Sequence, residues 1–254
     1  MDYGVLGVGA IAAAIVTGLC DDADGAPPVL LSPRNAGIAA DLAGRFPTVT
    51  VAADNQAVVD GASVVLLCLR PQDAREALGR LRFTAGQVVI SAMAGVSVGE
   101  LLRLVAPATD VARTIPLPSV ATRAGITPIH PPNATAKALF DRLGEALEVP
   151  DLAGFEALSA STATVAAHFA YLQAISGWLE MRGLPKDEAE RYVASLFADL
   201  ATALRGEHDF AQLARDHATR GGINELFHET LATAGVFDDV RGGLDRVLDR
   251  LHAL

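Results

Sequence analysis

The sequence predicts an α/β fold class, with a doubly wound parallel sheet over residues 1–150 and an all-helical domain over residues 151–254. Three observations predict this organisation. The chain opens with a short apolar segment that runs into a glycine turn and then a helical segment. Nearly uninterrupted apolar runs then alternate with amphipathic segments, as buried parallel strands alternate with helices. After Pro150 the alternation stops, and only helical patterns follow.

The opening turn, G-x-G-x-x-A, has the pattern of a dinucleotide-binding site. Gly7 permits a tight turn, Gly9 lets the backbone approach a pyrophosphate, and Ala12 allows close packing of helix on strand. The pyrophosphate would lie on the free N–H groups of the following helix, at Ala10 and Ile11. The motif alone is weak evidence, but strand, turn and helix follow in the required order. The first domain is therefore predicted to be a Rossmann domain.

The end of the second predicted strand, residues 28–31, indicates NADP rather than NAD. An NAD enzyme places an acidic residue here to bind the ribose 2′-OH, and this chain has none. Ser32, Arg34 and Asn35 instead offer a hydroxyl, a guanidinium and an amide, which suit the doubled charge of a 2′-phosphate. The alternative is an ordinary Ser-Pro turn with an exposed arginine.

Later segments are predicted to complete the cofactor site. A helix over residues 36–46 precedes Asn55, which would contact the adenosine end of the cofactor or cap a helix that begins near Gln56. The apolar strands over 62–69 and 87–90 come next. Ligands bind at the carboxyl ends of parallel strands. The residues at these two ends are therefore expected to bind the nicotinamide half: Leu69, Arg70, Pro71, Ala92 and Ala94.

The remaining predicted elements come from the same patterns. The first domain also contains a strand over residues 49–51, a helix over 98–105, a strand near 111–114, and a last α/β unit that ends at Val149. The second domain has a helix over 155–182 that ends at Gly183, a helix from Pro185 to about Arg205, a helix over 210–219, and a last helix from Gly222 toward Leu254. Proline at a helix start, acidic residues in the first turn and glycine after a helix end support these boundaries.

Charge and composition exclude several classes of partner. The net charge of -10 argues against non-specific binding to nucleic acid or to an anionic membrane. The two cysteines, Cys20 and Cys68, predict neither a disulfide framework nor a zinc cluster, and no metal site is expected. Residues 157–179 carry no charged side chain, but their polar side chains are costly in lipid, so we expect a helix buried against protein, such as another subunit. Without a signal-peptide pattern, the expected location is the cytoplasm.

Beyond these patterns, the chain resembles the pyrroline-5-carboxylate reductase family over nearly its whole length. The matching segments are G-V-G-A at 7–10, S-P-R at 32–34, D-N at 54–55, L-R-P-Q at 69–72, S-A-M-A-G-V-S at 91–97 and G-L-P-K-D-E-A at 183–189. The last two are fairly specific. The resemblance implies an NADP- or NAD-dependent reductase of a small imine acid. It also implies a helical dimerisation domain, in which two subunits interlock and complete each other's active sites.

The same resemblance points to site residues in the second domain. The family's S-G-S-G-P-A aligns with residues 161–166, which leaves Thr162 and Thr164 as candidate catalytic hydroxyls. The family's T-S-P-G-G-x-T loop, which holds the substrate carboxylate on backbone N–H groups, aligns with residues 218–224. Asn224 stands where the family has the threonine that donates toward the ring nitrogen, and it is the third candidate catalytic residue. The residues expected to bind the substrate are Arg220, Gly221, Gly222 and Ile223.

Each of these assignments has a structural alternative. Thr162, Thr164 and Asn224 lie where helices are capped, so capping is the other interpretation. Arg220 could pair with a substrate carboxylate as a bidentate clamp or could be an ordinary exposed loop residue. His168 could act as an acid, although a histidine amid apolar neighbours is more often a core residue.

Two other functions remain open at this stage. A 3-hydroxyacid dehydrogenase shares the two-domain plan but uses a lysine in the first helix of its second domain. The two lysines of this chain, Lys137 and Lys186, lie outside the predicted helix over 155–182, which weakens that interpretation. The alternative from another class is a non-catalytic NADP-binding sensor. Turnover of an imine with NADPH separates an enzyme from a sensor.

Overall fold

The structure is a computed structural model that describes residues 1–21, 25–204 and 209–253. The chain divides into two compact units, one formed by Met1–Ser159 with the segment from Arg250 on, the other by Ala160–Asp249. The domain boundary expected at residue 150 marks the end of the α/β alternation. The packing of the first unit continues beyond it, because the helix that follows the last strand still belongs largely to that unit.

One mixed sheet forms the centre of the first unit. Its strands, in chain order, are β1 (Tyr3–Leu6), β2 (Val29–Leu31), β3 (Val49–Val51), β4 (Val64–Leu67), β5 (Val88–Ser91), β6 (Asp110–Thr114), β7 (Ile126–His130) and β8 (Glu145–Glu148). Across the sheet their order is β3-β2-β1-β4-β5-β6-β7-β8. All paired neighbours are parallel except β6 and β7, which are antiparallel. The predicted doubly wound fold class is therefore confirmed, with β7 as its exception.

The central strands β1 and β4 are buried on both faces of the sheet, which explains their apolar sequences. Successive residues of a strand point to opposite faces. In β4, Val64 and Leu66 belong to one core cluster, whereas Val65 and Leu67 belong to another. The helices that alternate with the strands are α1 (Ala10–Cys20), α2 (Ala36–Arg45), α3 (Asn55–Asp60), α4 (Pro71–Leu78), α5 (Val98–Leu104) and α6 (Ala134–Asp141). The strand order reverses beside β1, which opens the crevice where doubly wound sheets bind ligands.

The rest of the chain is helical, as predicted, but with more helices than expected. They are α7 (Leu152–Ser161), α8 (Thr164–Met181), α9 (Lys186–Ala203), α10 (Phe210–His217), α11 (Ile223–Thr233) and α12 (Val236–His252). The end of the helix predicted to reach Arg205 falls outside the described residues. Two predictions of one continuous helix, over 155–182 and from Gly222 onward, are wrong.

Local chemistry explains both breaks. Between α7 and α8, the Thr164 hydroxyl donates to the Ser161 carbonyl at 2.8 Å, one of the local bonds by which threonine competes with the helical ladder. Between α11 and α12, Gly235 adopts a φ of 78°, the left-handed conformation that ends a helix. Neither break contains a proline, so the sequence pattern predicts a continuous helix at both places.

Helix α8 is not buried within the chain. Phe169 is 64% exposed and Met181 78% exposed, and Val165 and Trp178 are about half exposed. His168, expected to be a core residue, is exposed, with its ring 5.9 Å from that of Phe169 and 6.0 Å from that of Phe197. In the described ranges, no helix is both long enough and apolar enough to cross a membrane.

The end of α12 returns to the first unit. Its His252 Nε2 lies 2.9 Å from Glu156 Oε2, and the other oxygen of Glu156 lies 3.7 Å from Nη1 of Arg113. The guanidinium of Arg113 also lies 4.9 Å from the centre of the Phe155 ring. Burial lowers the pKa of Arg113, and Glu156 opposes that shift. Glu156 thus joins the last helical turn to strand β6.

Candidate functional site

The glycine turn has the geometry that a dinucleotide requires. Gly7 has a φ of 90°, and a Cβ there would lie 2.7 Å from the Cys68 carbonyl oxygen, so only glycine fits. A Cβ on Gly9 would meet no protein atom within 4 Å, which leaves open space at the start of α1. Gly9 is the N-cap and supplies no side-chain cap, so the N–H groups of Ala10 and Ile11 point from an uncapped helix end. These features fit a pyrophosphate.

Two polar residues after β2 support this turn. The Ser32 hydroxyl accepts a hydrogen bond from the Gly7 N–H at 3.0 Å, and Ser32 is only 1% exposed. The Asn35 amide donates to the Val8 carbonyl at 3.0 Å from a left-handed backbone position. Both side chains therefore stabilise the glycine turn through hydrogen bonds to its backbone. Of the three groups predicted to face a 2′-phosphate, Ser32 is buried, whereas Asn35 and Arg34 are exposed, and the side chain of Arg34 is 59% exposed.

Arg34 lines a cavity of about 790 Å³ beside the turn. The cavity is also lined by Asn55 from α3, Asp73 from α4 and Arg80. Nη2 of Arg34 lies 3.4 Å from Asp73 Oδ2. The size and polar lining of this cavity fit the adenosine end of a dinucleotide. Asn55 lines this cavity, and its role as a cofactor residue remains a prediction.

The alternative role of Asn55, as a helix cap, is wrong. Helix α3 begins at Asn55 itself, and its N-cap is Asp54, whose carboxylate accepts the Ala57 N–H at 2.8 Å. Aspartate and asparagine are about equally good caps, so the sequence left the choice between neighbouring residues open.

The ends of β4 and β5 lie beside one another at the predicted edge of the sheet. Leu69 and Arg70 follow β4, and Pro71 is the first residue of α4. Ala92 donates its N–H to the Leu67 carbonyl at 2.9 Å, which extends the pairing of the two strands. Ala94 is exposed. Ala92 and Ala94 place small side chains at the end of β5.

Cys68 directly follows β4 at this edge of the sheet. Burial raises the pKa of its thiol to about 12, so the thiol stays protonated at neutral pH. In the described part of the chain, no group of three or more His, Cys, Asp or Glu side chains could hold a metal ion.

The loop expected to bind substrate lies in the second unit, at the start of α11. Gly221 adopts a φ of 73°, and its N–H donates to the carboxylate of Glu225 at 2.6 Å. The Gly222 N–H donates to the Thr219 carbonyl at 2.8 Å. Arg220 is exposed, and Ile223 is 85% exposed. The glycine loop is therefore formed, but a carboxylate of the chain itself already occupies one of its donors.

Asn224 and Thr164, two of the candidate catalytic residues, donate hydrogen bonds to nearby backbone carbonyls. The Asn224 amide donates to the His217 carbonyl at 3.0 Å, which ties α11 to the end of α10. The Thr164 hydroxyl is held by Ser161, as described above. Thr162 lies in the turn between α7 and α8 and is partly buried. The structural alternative for these residues was helix capping, but the N-caps of α8 and α11 are Ala163 and Gly222, and neither has a side-chain capping bond. The catalytic roles of Asn224, Thr162 and Thr164 remain predictions.

Asp73 and Glu225 are the residues that the sequence pattern did not single out. Each lies in the first turn of a helix, where acidic residues are common because of the helix dipole. Their spacing was a weak sign of these contacts. Asp73 follows Arg70 by three residues and Glu225 follows Gly221 by four, and residues at such separations are neighbours on a helix.

The chain is similar to known reductases over most of its length. A family model described as NADP oxidoreductase, coenzyme F420-dependent, matches residues 2–95. A pyrroline-5-carboxylate reductase from Acremonium is 30% identical over an alignment of 264 residues, which covers 86% of this chain and 82% of that protein. A pyrroline-5-carboxylate reductase from Synechocystis is 26% identical over 231 residues, which cover 87% of this chain and 86% of that protein.

Solved structures share the fold. A 1-pyrroline-5-carboxylate reductase from Streptococcus pyogenes superposes with a TM-score of 0.84 at 22% identity and covers 100% of this chain and 99% of its own. A pyrroline carboxylate reductase from Plasmodium falciparum, determined with NADP bound, has a TM-score of 0.80 at 14% identity, with coverage of 100% and 97%.

Proposed function

The chain belongs to the pyrroline-5-carboxylate reductase family, and we propose that it is an NADP(H)-dependent oxidoreductase that reduces the C=N bond of a small imine acid. The observation that carries the proposal is the glycine turn. Gly7 is fixed by its backbone conformation, Gly9 faces open space, and the first turn of α1 is uncapped. The open space at Gly9 and the uncapped first turn of α1 suit an anionic cofactor.

Residues of the first unit would hold the cofactor. The N–H groups at the start of α1 would bind the pyrophosphate, Arg34 the 2′-phosphate, and Asn55 the adenosine end. The strand ends at Leu69 and Ala92 would border the nicotinamide. When bound, the cofactor supplies the hydride, and the protein contributes position and electrostatics.

Residues of the second unit would bind the substrate. Arg220 is an exposed guanidinium next to Gly221 and Gly222, so it can form a bidentate pair with a carboxylate. Asn224 has a second amide hydrogen besides the one bonded to His217 and could donate it to the reacting nitrogen. An amide cannot act as an acid, so we propose that the proton comes from water and that the enzyme is slow or narrow in substrate range.

The decisive experiment is turnover of a panel of small cyclic imine acids with NADPH, followed by loss of NADPH absorbance. We expect measurable oxidation of NADPH with at least one imine acid. Binding of NADPH without turnover of any imine would favour the non-catalytic sensor. Failure to bind either nicotinamide cofactor would contradict both functions.

Arg34→Ala tests the assignment of the cofactor. We expect its dissociation constant for NADPH to rise about tenfold, with that for NADH changed by less than about twofold, because only NADPH carries the 2′-phosphate. We expect a loss of binding free energy at the low end of the range for a charged hydrogen bond, because Arg34 is exposed and already paired with Asp73. Fluorescence titration of each cofactor measures both constants.

Arg45→Ala is the matched control for this titration. It removes another exposed arginine, on α2, which is paired with Asp41 and does not line the cavity. We expect both dissociation constants to stay at their wild-type values. If Arg34→Ala weakens both cofactors equally, or the native protein prefers NADH, the assignment of Arg34 is wrong.

Two variants test the substrate loop in opposite directions. Arg220→Ala should raise KM for an acidic imine about tenfold by removing a charged hydrogen bond. Glu225→Gln should lower that KM about threefold, because it removes a negative charge that repels the substrate carboxylate, while the amide oxygen can still accept the Gly221 N–H. Steady-state kinetics with an acidic imine and with a neutral imine measure both effects.

The neutral imine and Arg215→Ala are the controls for this loop. Arg215 is an exposed arginine on α10, bonded to Gln212, so its removal should not change KM. Neither variant should alter KM for an imine that has no carboxylate, or the binding of NADPH. If Arg220→Ala matches the native enzyme on every substrate, Arg220 is only a surface residue.

A further inference from the structure

Asp73 joins two arginines from different strand ends. It lies in the first turn of α4, where its Oδ2 accepts hydrogen bonds from Arg70 Nε at 3.0 Å and Nη2 at 2.9 Å. The same oxygen lies 3.4 Å from Nη2 of Arg34. The side chain of Asp73 is 24% exposed, whereas those of the two arginines are 59% and 67% exposed. The carboxylate is therefore the inner member of the cluster, and it partly neutralises Arg34.

The other acidic residues of the cavity have partners of their own. Asp54 caps α3 through the Ala57 N–H. Glu76 lies 3.4 Å from Arg80, and both of these side chains are about four-fifths exposed. Among the described residues that line the cavity, Asp73 is therefore the acid that acts on Arg34.

We propose that Asp73 determines cofactor specificity, because its carboxylate restrains Arg34 and lowers the preference for NADPH over NADH. This inference rests on the proposed function, since it requires a nicotinamide cofactor in this cavity. A 2′-phosphate carries nearly two negative charges, so Asp73 repels it and competes with it for Arg34. A ribose 2′-OH can donate a hydrogen bond to a carboxylate, as in NAD-binding sites. Asp73 thus weakens the binding of NADPH and is compatible with the binding of NADH.

Asp73→Asn tests the proposal because it keeps the shape of the side chain and removes the charge. Its dissociation constant for NADPH should fall about five- to tenfold at low salt, the effect of removing a charge at ~6 Å from a phosphate dianion in a water-like dielectric. The constant for NADH should stay within about twofold of the wild-type value. The gain for NADPH should shrink as salt is added, because exposed charges are screened.

Two further variants separate a charge effect from a structural one. Asp141→Asn is the matched control, since it removes a carboxylate from an exposed ion pair with Lys137 on α6, near the far edge of the sheet. It should change neither constant. In an Arg34→Ala background, Asp73→Asn should still tighten NADPH binding, but by less than it does alone, since the repulsion of the 2′-phosphate remains and the restraint on Arg34 no longer exists. Asp73→Ser provides a second way to remove the charge if Asp73→Asn unfolds at a lower temperature than the native protein.

The outcomes are distinct. Equal changes for both cofactors, or weaker binding of NADPH by both Asp73→Asn and Asp73→Ser, would overturn the proposal, because Asp73 would then serve only to hold the cluster together. A wild-type protein that binds neither cofactor would overturn the proposed function and this inference together. Titration without an imine measures all of these constants, so a lack of turnover does not affect the result.

Discussion

Replacement of Gly7 by alanine is expected to lower the free energy of unfolding by about 3 kcal/mol. Two costs combine at this position. The φ of 90° is unfavourable for a residue with a side chain, and the added Cβ would lie 2.7 Å from the carbonyl oxygen of Cys68, a backbone atom that cannot move aside cheaply. Urea denaturation followed by circular dichroism measures the loss.

Gly9→Ala is the matched control, because it should affect binding rather than folding. The new Cβ would meet no protein atom within 4 Å, so the free energy of unfolding should change by less than about 1 kcal/mol. The methyl group would instead lie where the pyrophosphate approaches. Binding of NADPH should weaken roughly tenfold to a hundredfold, since overpacking by one methyl group costs about 1–3 kcal/mol. Unchanged binding would mean that the cofactor does not approach this face of the turn.

The second large effect is expected at the exposed face of α8. We propose that the protein is a homodimer, because α8 exposes Phe169, Trp178 and Met181, and the residues that the structure describes do not cover them. A two-fold interface contains each residue twice. Phe169→Glu should therefore raise the dissociation constant of the dimer roughly a hundredfold to a thousandfold, from the loss of about 2 kcal/mol at each copy.

Sedimentation velocity at micromolar concentration measures this effect. The wild-type protein should sediment as a dimer or larger and Phe169→Glu as a monomer. Ile38→Glu is the control, since it puts the same charge on a 40% exposed side chain of α2 in the first unit. A wild-type monomer, or a dimer that Phe169→Glu leaves intact, would contradict the proposed interface.

The fold was largely predictable because a strand that is buried in the sheet has a recognisably apolar sequence. A strand such as β4 packs on both faces, so its V-V-L-L run is apolar throughout. Strand direction leaves no such mark, and the antiparallel β7 could not be recognised from its residues. The break before α8 was also unpredictable, because it depends on a Thr164 hydrogen bond that any threonine in a helix could make or omit.

Site residues that are required by the backbone conformation could be predicted from the sequence. The hydrogen-bond partners of polar side chains could not. Gly7 was identified because its conformation excludes other residues. Ser32 and Arg34 were predicted together, yet the first is buried under the turn and the second is exposed. The sequence could not distinguish them, since a hydroxyl close to a loop amide binds it as readily as a ligand. Asp73 and Glu225 were not predicted because the sequence does not show which donor a carboxylate will bind.

The contact of His252 with Glu156 has a consequence for synthesis of the protein. The first unit is discontinuous in sequence, because the segment that begins at Arg250 belongs with residues 1–159. A nascent chain can therefore assemble the sheet early, but it cannot complete the packing around Arg113 and Glu156 until His252 has left the ribosome. The second unit, Ala160–Asp249, is thus inserted within the sequence of the first.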